Sequence, residues 1–331
     1  MNITVLGTGG WGIALACTLS SKNSVTLWSV FEEEINELKA NKGNEKLLPG
    51  VIIPDAIKFE SSLKKAVEGS DILIFVVPSF AIRETAKKVS EFFNNEKMIA
   101  VCAAKGLEDS SFLTLTEVIA EELPKNSRVC ALSGPTHAEE VSRGIPTAIV
   151  TACEDIKAAE TVQTAFMNEN FRVYTSDDPK GVEVGAAIKN VIALCAGISD
   201  GCGYGDNTKA ALMTRGIHEI ARLGCAMGGK RETFMGLSGI GDLIVTCTSI
   251  HSRNRRCGIL IGKGLTADEA VKEVNMVVEG IKCLKAVYHA AKKFDVDMPI
   301  INEAYKVVYE NKAPSQSVSD LMTRDKKYEM E

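Results

Sequence analysis

Apolar residues in the first half of the chain fall in short runs separated by amphipathic stretches. Runs at 3–6, 25–28, 72–77, 98–103, 129–132, 147–151 and 171–175 are rich in β-branched residues and predict strands. Stretches near 10–21, 32–41, 61–68, 80–93, 112–122 and 154–167 carry apolar positions at helical spacing. The strand runs are apolar on both faces, as in a parallel sheet covered by helices on each side. This β-α-β rhythm predicts a Rossmann-type, doubly wound α/β domain.

Past residue 180 the strand pattern stops. Val184, Ala187, Ile188, Val191, Ile192 and Cys195 recur at helical spacing, so a long apolar helix is expected over 182–198. Helices are also expected over 207–226, 253–263, 266–274, 279–294 and 299–311. The expected organisation is a dinucleotide-type α/β domain over 1–180 followed by an all-α domain over 181–331. The boundary is expected in a turn at Asp178-Pro179-Lys180-Gly181. Ligands of such folds bind outside the carboxyl ends of the strands.

Composition narrows the function classes. The 331 residues are 45% hydrophobic and 24% charged, with a net charge of −5. That balance gives no electrostatic reason to expect a nucleic acid or a membrane surface as partner. Cys17, Cys102, Cys130, Cys195 and Cys283 sit among apolar neighbours, and the ten cysteines form no Cys-x-x-Cys pair, so neither a zinc ribbon nor a dithiol redox motif is expected. No metal site is expected. The first strand begins at residue 3, leaving no length for a secretory leader ahead of it. The apolar runs fall far short of the ~18 residues of a membrane span. A cytoplasmic protein is expected.

The first strand runs into Gly7-Thr8-Gly9-Gly10-Trp11-Gly12 and then a helix. A Gly-x-Gly-x-x-Gly turn between strand and helix binds the pyrophosphate of a dinucleotide. Gly7 permits the tight turn, Gly9 the close approach of pyrophosphate, and Gly12 the packing of helix on strand, while free amides at the helix start face the anion. The second strand ends in Trp28-Ser29-Val30-Phe31, with acidic residues only from Glu32. Neither the acid that binds an adenosine ribose nor the arginine that binds a 2′-phosphate stands there. NAD and NADP both stay open.

Three further segments carry polar groups in apolar or structural settings. Lys105 follows the strand at 98–103 directly. Lys189 and Glu183 are the only charges in the helix expected at 182–198, and Lys189 shares a face with Gly185, Ala186, Ala193 and Ala196. Small neighbours leave room for a reactant, and a desolvated lysine exchanges its proton near neutral pH. Asn190 could orient an oxygen ligand. The third segment runs from Gly241-Asp242-Leu243 through Thr246 to His251-Ser252-Arg253-Asn254-Arg255-Arg256. Arginines interleaved with hydroxyl and amide groups at a helix start suit a small phosphorylated substrate. Asp242 is a candidate to hold Lys189 or a substrate hydroxyl. His137, His218 and His289 form no triad.

GTGGWG, AAKGLE, LSGPTHAEEV, GVEVGAAIKNVIALCAGISDG, GDNTKAALMTRG, GLSGIGDLIVTCTS, HSRNRR and VVEG stand in this order. From residue 2 to about 323, the chain resembles the bacterial NAD(P)-dependent sn-glycerol-3-phosphate dehydrogenases. The resemblance implies reversible hydride transfer between dihydroxyacetone phosphate and sn-glycerol 3-phosphate, for phospholipid synthesis, in a homodimer. It implies Lys189 as proton donor and acceptor, with Lys105 touching substrate and cofactor. Gly134, Thr136, Asp242, Ser252, Arg253 and Asn254 fall on substrate positions; Gly10, Trp11, Lys105, Ala138, Arg253, Val277 and Glu279 fall on cofactor positions. Gly10 replaces a common serine of that family, and Val30-Phe31 replaces a frequent arginine. Two alternatives remain: a β-hydroxyacid or 6-phosphogluconate-type dehydrogenase with the same domain plan, and a non-catalytic dinucleotide sensor.

Overall fold

The computed structural model describes residues 1–94 and 96–329. The chain forms two compact units: Met1–Ala186 with Gly228–Asp242, and Ala187–Met227 with Leu243–Glu331.

The first unit is built on one sheet of eight strands: β1 (Asn2–Leu6), β2 (Ser24–Trp28), β3 (Lys58–Glu60), β4 (Ile72–Phe75), β5 (Ile99–Cys102), β6 (Arg128–Ser133), β7 (Thr147–Ala152) and β8 (Phe171–Ser176). Their order is β3-β2-β1-β4-β5-β6-β7-β8, and every neighbouring pair is parallel except β6 with β7. The fully parallel sheet expected from the apolar runs is broken there for a local reason. Residues 134–146 hold only a one-turn helix, too little to carry the chain back across a face. The sequence pattern misses β3 because its Lys-Phe-Glu is short, polar and at the sheet edge.

Seven helices belong to this sheet: α1 (Gly10–Ser20), α2 (Glu32–Asn41), α3 (Leu63–Val67), α4 (Ile82–Ser90), α5 (Leu115–Glu122), α6 (Ala138–Val141) and α7 (Ile156–Phe166). Successive strand residues alternate between two cores. Ile72, Ile74, Ile99 and Val101 join one with α1 and α7, while Leu73, Phe75, Ala100 and Cys102 join the other with α4 and α5. Each fully buried aliphatic side chain contributes about 1.5–3 kcal/mol. The sheet is therefore covered on both faces.

α8 (Pro179–Gly201) begins earlier than the sequence pattern suggests. The expected turn at 178–181 is instead a helix start: Pro179 occupies the first helical position, which suits its fixed φ and missing N–H. The Asp178 side chain accepts from Gly181 N–H at 2.9 Å, from Lys230 N–H at 2.9 Å and from the Thr233 hydroxyl at 2.6 Å. Val182 packs with Ala131, Val150 and Ala152 of the sheet. The first turns of α8, as far as Ala186, thus stay with the first unit, which also includes Gly228–Asp242. Among the described residues α8 is also the one helix long and apolar enough to cross a membrane, but 94% of its most apolar window is buried inside the protein.

The rest of the chain is helical: α9 (Asp206–Ala226), α10 (Asp242–Thr248), α11 (Arg253–Gly262), α12 (Ala267–Val274), α13 (Glu279–Lys293), α14 (Pro299–Tyr309) and α15 (Pro314–Met322). The sequence pattern misses α10, where Ile244, Val245, Thr246 and Thr248 are weak helix formers, and α15, which is mostly polar. Within the second unit α8 and α11 touch backbone to backbone. A Cβ at Gly197 would lie 2.1 Å from the Arg255 carbonyl oxygen, and one at Gly258 would lie 2.1 Å from that of Leu194. Gly201 and Gly262 repeat the contact one turn on, at 2.3 Å from Ile259 O and Ile198 O.

Candidate active site

In the first unit the expected residues gather at the carboxyl ends of β1, β5 and β6. The turn after β1 has the three geometries that its glycines imply. Gly7 has φ +133° and donates its N–H to Trp28 O at 2.9 Å. A Cβ at Gly12 would lie 2.1 Å from Gly7 O, so only glycine lets α1 pack this closely on the turn. Around Gly9, the N-cap of α1, an added Cβ meets nothing within 4 Å, and no side chain caps the helix. The open amides and space suit a dinucleotide pyrophosphate. Gly10 leaves room for a side chain, its nearest neighbour being Leu47 O at 3.6 Å.

Trp11 donates its indole N–H to Ala103 O at 3.2 Å, tying the turn to the end of β5. Two residues on, Lys105 Nζ donates to Gly134 O at 3.1 Å and to Asp242 Oδ2 at 2.6 Å. The side chains of Lys105 and Asp242 are 18% and 2% exposed, so this ion pair is largely desolvated. Thr136 closes on the same carbonyl, its hydroxyl donating to Gly134 O at 3.1 Å. Ala138 begins α6, with His137 as its N-cap.

The placement of Glu34 beside the glycine turn was not legible in the sequence. Its Oε2 accepts from the Thr8 hydroxyl at 2.5 Å and from the Ser29 hydroxyl at 2.7 Å. The chain turns so tightly after β2 that the first turn of α2 folds a carboxylate back to the strand's end. Linear spacing gives no sign of it.

In the second unit Lys189 is 5% exposed, and its ammonium donates to the Thr246 hydroxyl at 2.6 Å. The neighbouring Asn190 Oδ1 accepts from Asn254 Nδ2 at 2.9 Å, and Asn254 Oδ1 accepts from Gly280 N–H at 2.8 Å. Gly280 is required, since a Cβ there would lie 2.6 Å from Asn190 O. This junction holds α8, α11 and the start of α13 together, with Glu279 immediately before Gly280 in the chain.

The basic run resolves into different roles. Ser252 is the N-cap of α11, its Oγ accepting from Arg255 N–H at 3.2 Å. Arg255 pairs with Asp200 of α8 at 2.7 Å. Arg253 and Arg256 are exposed. Among the described residues no group of His, Cys, Asp or Glu is arranged to hold a metal ion, and all ten cysteines are free thiols.

Comparison with known proteins covers nearly the whole chain. Residues 2–159 match the N-terminal model of NAD-dependent glycerol-3-phosphate dehydrogenase, and residues 178–319 match its C-terminal model. The glycerol-3-phosphate dehydrogenase (NAD(P)+) of Fusobacterium nucleatum is 53% identical, over 100% of this chain and 99% of the relative. That of Clostridium perfringens is 52% identical, over 99% and 98%. A crystal structure of glycerol-3-phosphate dehydrogenase from Coxiella burnetii superposes with a TM-score of 0.93 at 37% identity, covering 98% of this chain and 99% of that one.

Proposed function

The chain belongs to the NAD-dependent glycerol-3-phosphate dehydrogenase family, and on that premise we propose the residues by which it interconverts dihydroxyacetone phosphate and sn-glycerol 3-phosphate. It is an NAD(P)-dependent oxidoreductase acting on a CH–OH group. Residues 1–180 bind the dinucleotide, through Gly7, Gly9, Gly10, Trp11 and Gly12 with Lys105 and Ala138. Residues 181–331 bring the proton donor and the phosphate anchor, and Arg253, Val277 and Glu279 complete the cofactor contacts.

The bound nicotinamide supplies the hydride to the carbonyl carbon. Lys189, as its ammonium, gives a proton to the carbonyl oxygen and recovers one in the reverse direction. The observation that carries this role is a lysine 5% exposed in a mainly apolar helix, oriented at 2.6 Å by the Thr246 hydroxyl. Lys105 polarises the same oxygen, held by Asp242. Arg253 anchors the phosphate, with one Asn254 amide proton, the Ser252 segment, Gly134 and Thr136 completing the substrate contacts. Holding the phosphate away from the reacting carbon lowers the barrier by positioning.

The protein works in the cytoplasm as a homodimer and supplies glycerol 3-phosphate for phospholipid synthesis. Ten free thiols suit a reducing compartment. A cofactor sensor would need neither the buried lysine nor the exposed arginine. Steady-state reduction of dihydroxyacetone phosphate, run beside 3-hydroxyacid oxidation, tests the reading. Lys189→Ala should lower kcat by about 10²–10⁴-fold while NADH affinity persists. Activity confined to the 3-hydroxyacids would overturn the substrate, and near-normal kcat in the variant would remove Lys189 from the mechanism.

A further inference from the structure

We infer that Glu34 makes this chain select NAD(H) over NADP(H), an inference that rests on the dinucleotide site proposed above. Thr8 belongs to the glycine turn, and Ser29 directly follows β2. The Glu34 carboxylate bonds both hydroxyls through one oxygen, at 2.5 and 2.7 Å. It is thereby fixed where the turn meets the carboxyl end of β2, the place that seats the adenosine ribose in a dinucleotide fold. Among the described residues its second oxygen, Oε1, accepts no hydrogen bond, and the residue is exposed. A free carboxylate oxygen in that place accepts from the ribose 2′-hydroxyl.

A 2′-phosphate meets the opposite conditions. No Lys or Arg occurs from Ser29 through Leu38, while Glu32, Glu33 and Glu37 add to the charge of Glu34. Exposed Val30 and Phe31, at 61% and 62%, occupy the two positions where an arginine would meet the phosphate. The start of α2 would otherwise attract an anion, but Glu32, Glu33 and Glu34 fill its first turn. Like charges brought together at a binding surface are strongly rejected.

Isothermal titration of the whole, cofactor-free protein with NADH and with NADPH tests this without relying on turnover. NADH should bind at least about 30-fold more tightly than NADPH. In Glu34→Gln, which keeps an acceptor for Thr8 and Ser29, that ratio should fall below about 5-fold, chiefly by a gain in NADPH affinity. Glu33→Gln, on the same turn, should leave the ratio within about 2-fold. Equal or tighter binding of NADPH by the native chain overturns the inference, as does an unchanged ratio in Glu34→Gln with an unaltered melting temperature. Selective NADH binding without turnover of dihydroxyacetone phosphate would sustain the inference and refute the proposed reaction.

Discussion

Two helix starts, one in each unit, deal with their unpaired N–H groups in opposite ways. α1 begins at Gly9 with no side-chain cap and open space in front of it. α11 begins at Ser252, whose hydroxyl already accepts from Arg255 N–H, and Arg255 itself is spent on Asp200. An uncapped start leaves backbone amides for an anion; a capped one leaves the anion to a side chain, the role proposed above for the exposed Arg253. Two more helix starts, of α5 and α14, take acceptors from afar, α5 in addition to its own Thr114–Glu117 capping box. Glu183 accepts from Thr116 N–H at 3.0 Å, and Glu219 from Ile300 N–H at 2.8 Å. A helix start thus keeps its amides open to an anion only where no cap takes them.

The sharpest break of this contrast is at α1. Gly12→Ala places a Cβ against Gly7 O, and should weaken NADH binding by about 100-fold or more while costing about 1–3 kcal/mol of stability. Gly9→Ala should leave the melting temperature within about 2 °C and yet weaken NADH binding about tenfold, because its methyl group fills space only the cofactor needs. Calorimetry on the two variants separates a strained turn from an obstructed site; equal stability losses would contradict the open space at Gly9.

At α11 the two arginines should part company. Arg253→Ala should raise KM for dihydroxyacetone phosphate about 10- to 100-fold, the worth of a hydrogen bond to a charged group. Arg255→Ala should instead cost about 1–3 kcal/mol in urea unfolding, with a KM change several-fold smaller. The reverse pattern would exchange their roles.

The buried caps give the contrast a pH dependence. Burial pushes the Glu219 and Glu183 carboxyls up to about 7. Between that value and the unfolded value of 4.5, the folded chain holds protons that the unfolded chain has lost. Stability should therefore fall as pH rises through this window, by about 3 kcal/mol for each carboxyl, and level off above it. Glu219→Gln keeps an acceptor for α14 and should remove its share of the slope. An unchanged slope in that variant would show that Glu219 titrates normally.

What was legible in the sequence follows the same physics. The glycine turn could be read because its chemistry is backbone chemistry, fixed by three residues and their flanking strand and helix. Lys189 stood out because a charge in an apolar helix is costly without a purpose. Arg253 and Arg255 could not be told apart, since their roles depend on Asp200, more than fifty residues away. Glu34 was hidden by the tightness of the turn after β2. No sequence break in α8 marks where its packing changes from sheet to helices.

The glycine contact of α8 with α11 sets a gauge. Side chains of ordinary size can be exchanged to adjust the gap between two helices, but here the gap is already that of bare backbone. The distance from Lys189 to the start of α11 can therefore be lengthened, by inserting any Cβ as a wedge, but never shortened. Sequence drift around the pair can recolour the surroundings while leaving the span between the proposed proton donor and the proposed phosphate anchor at its lower limit.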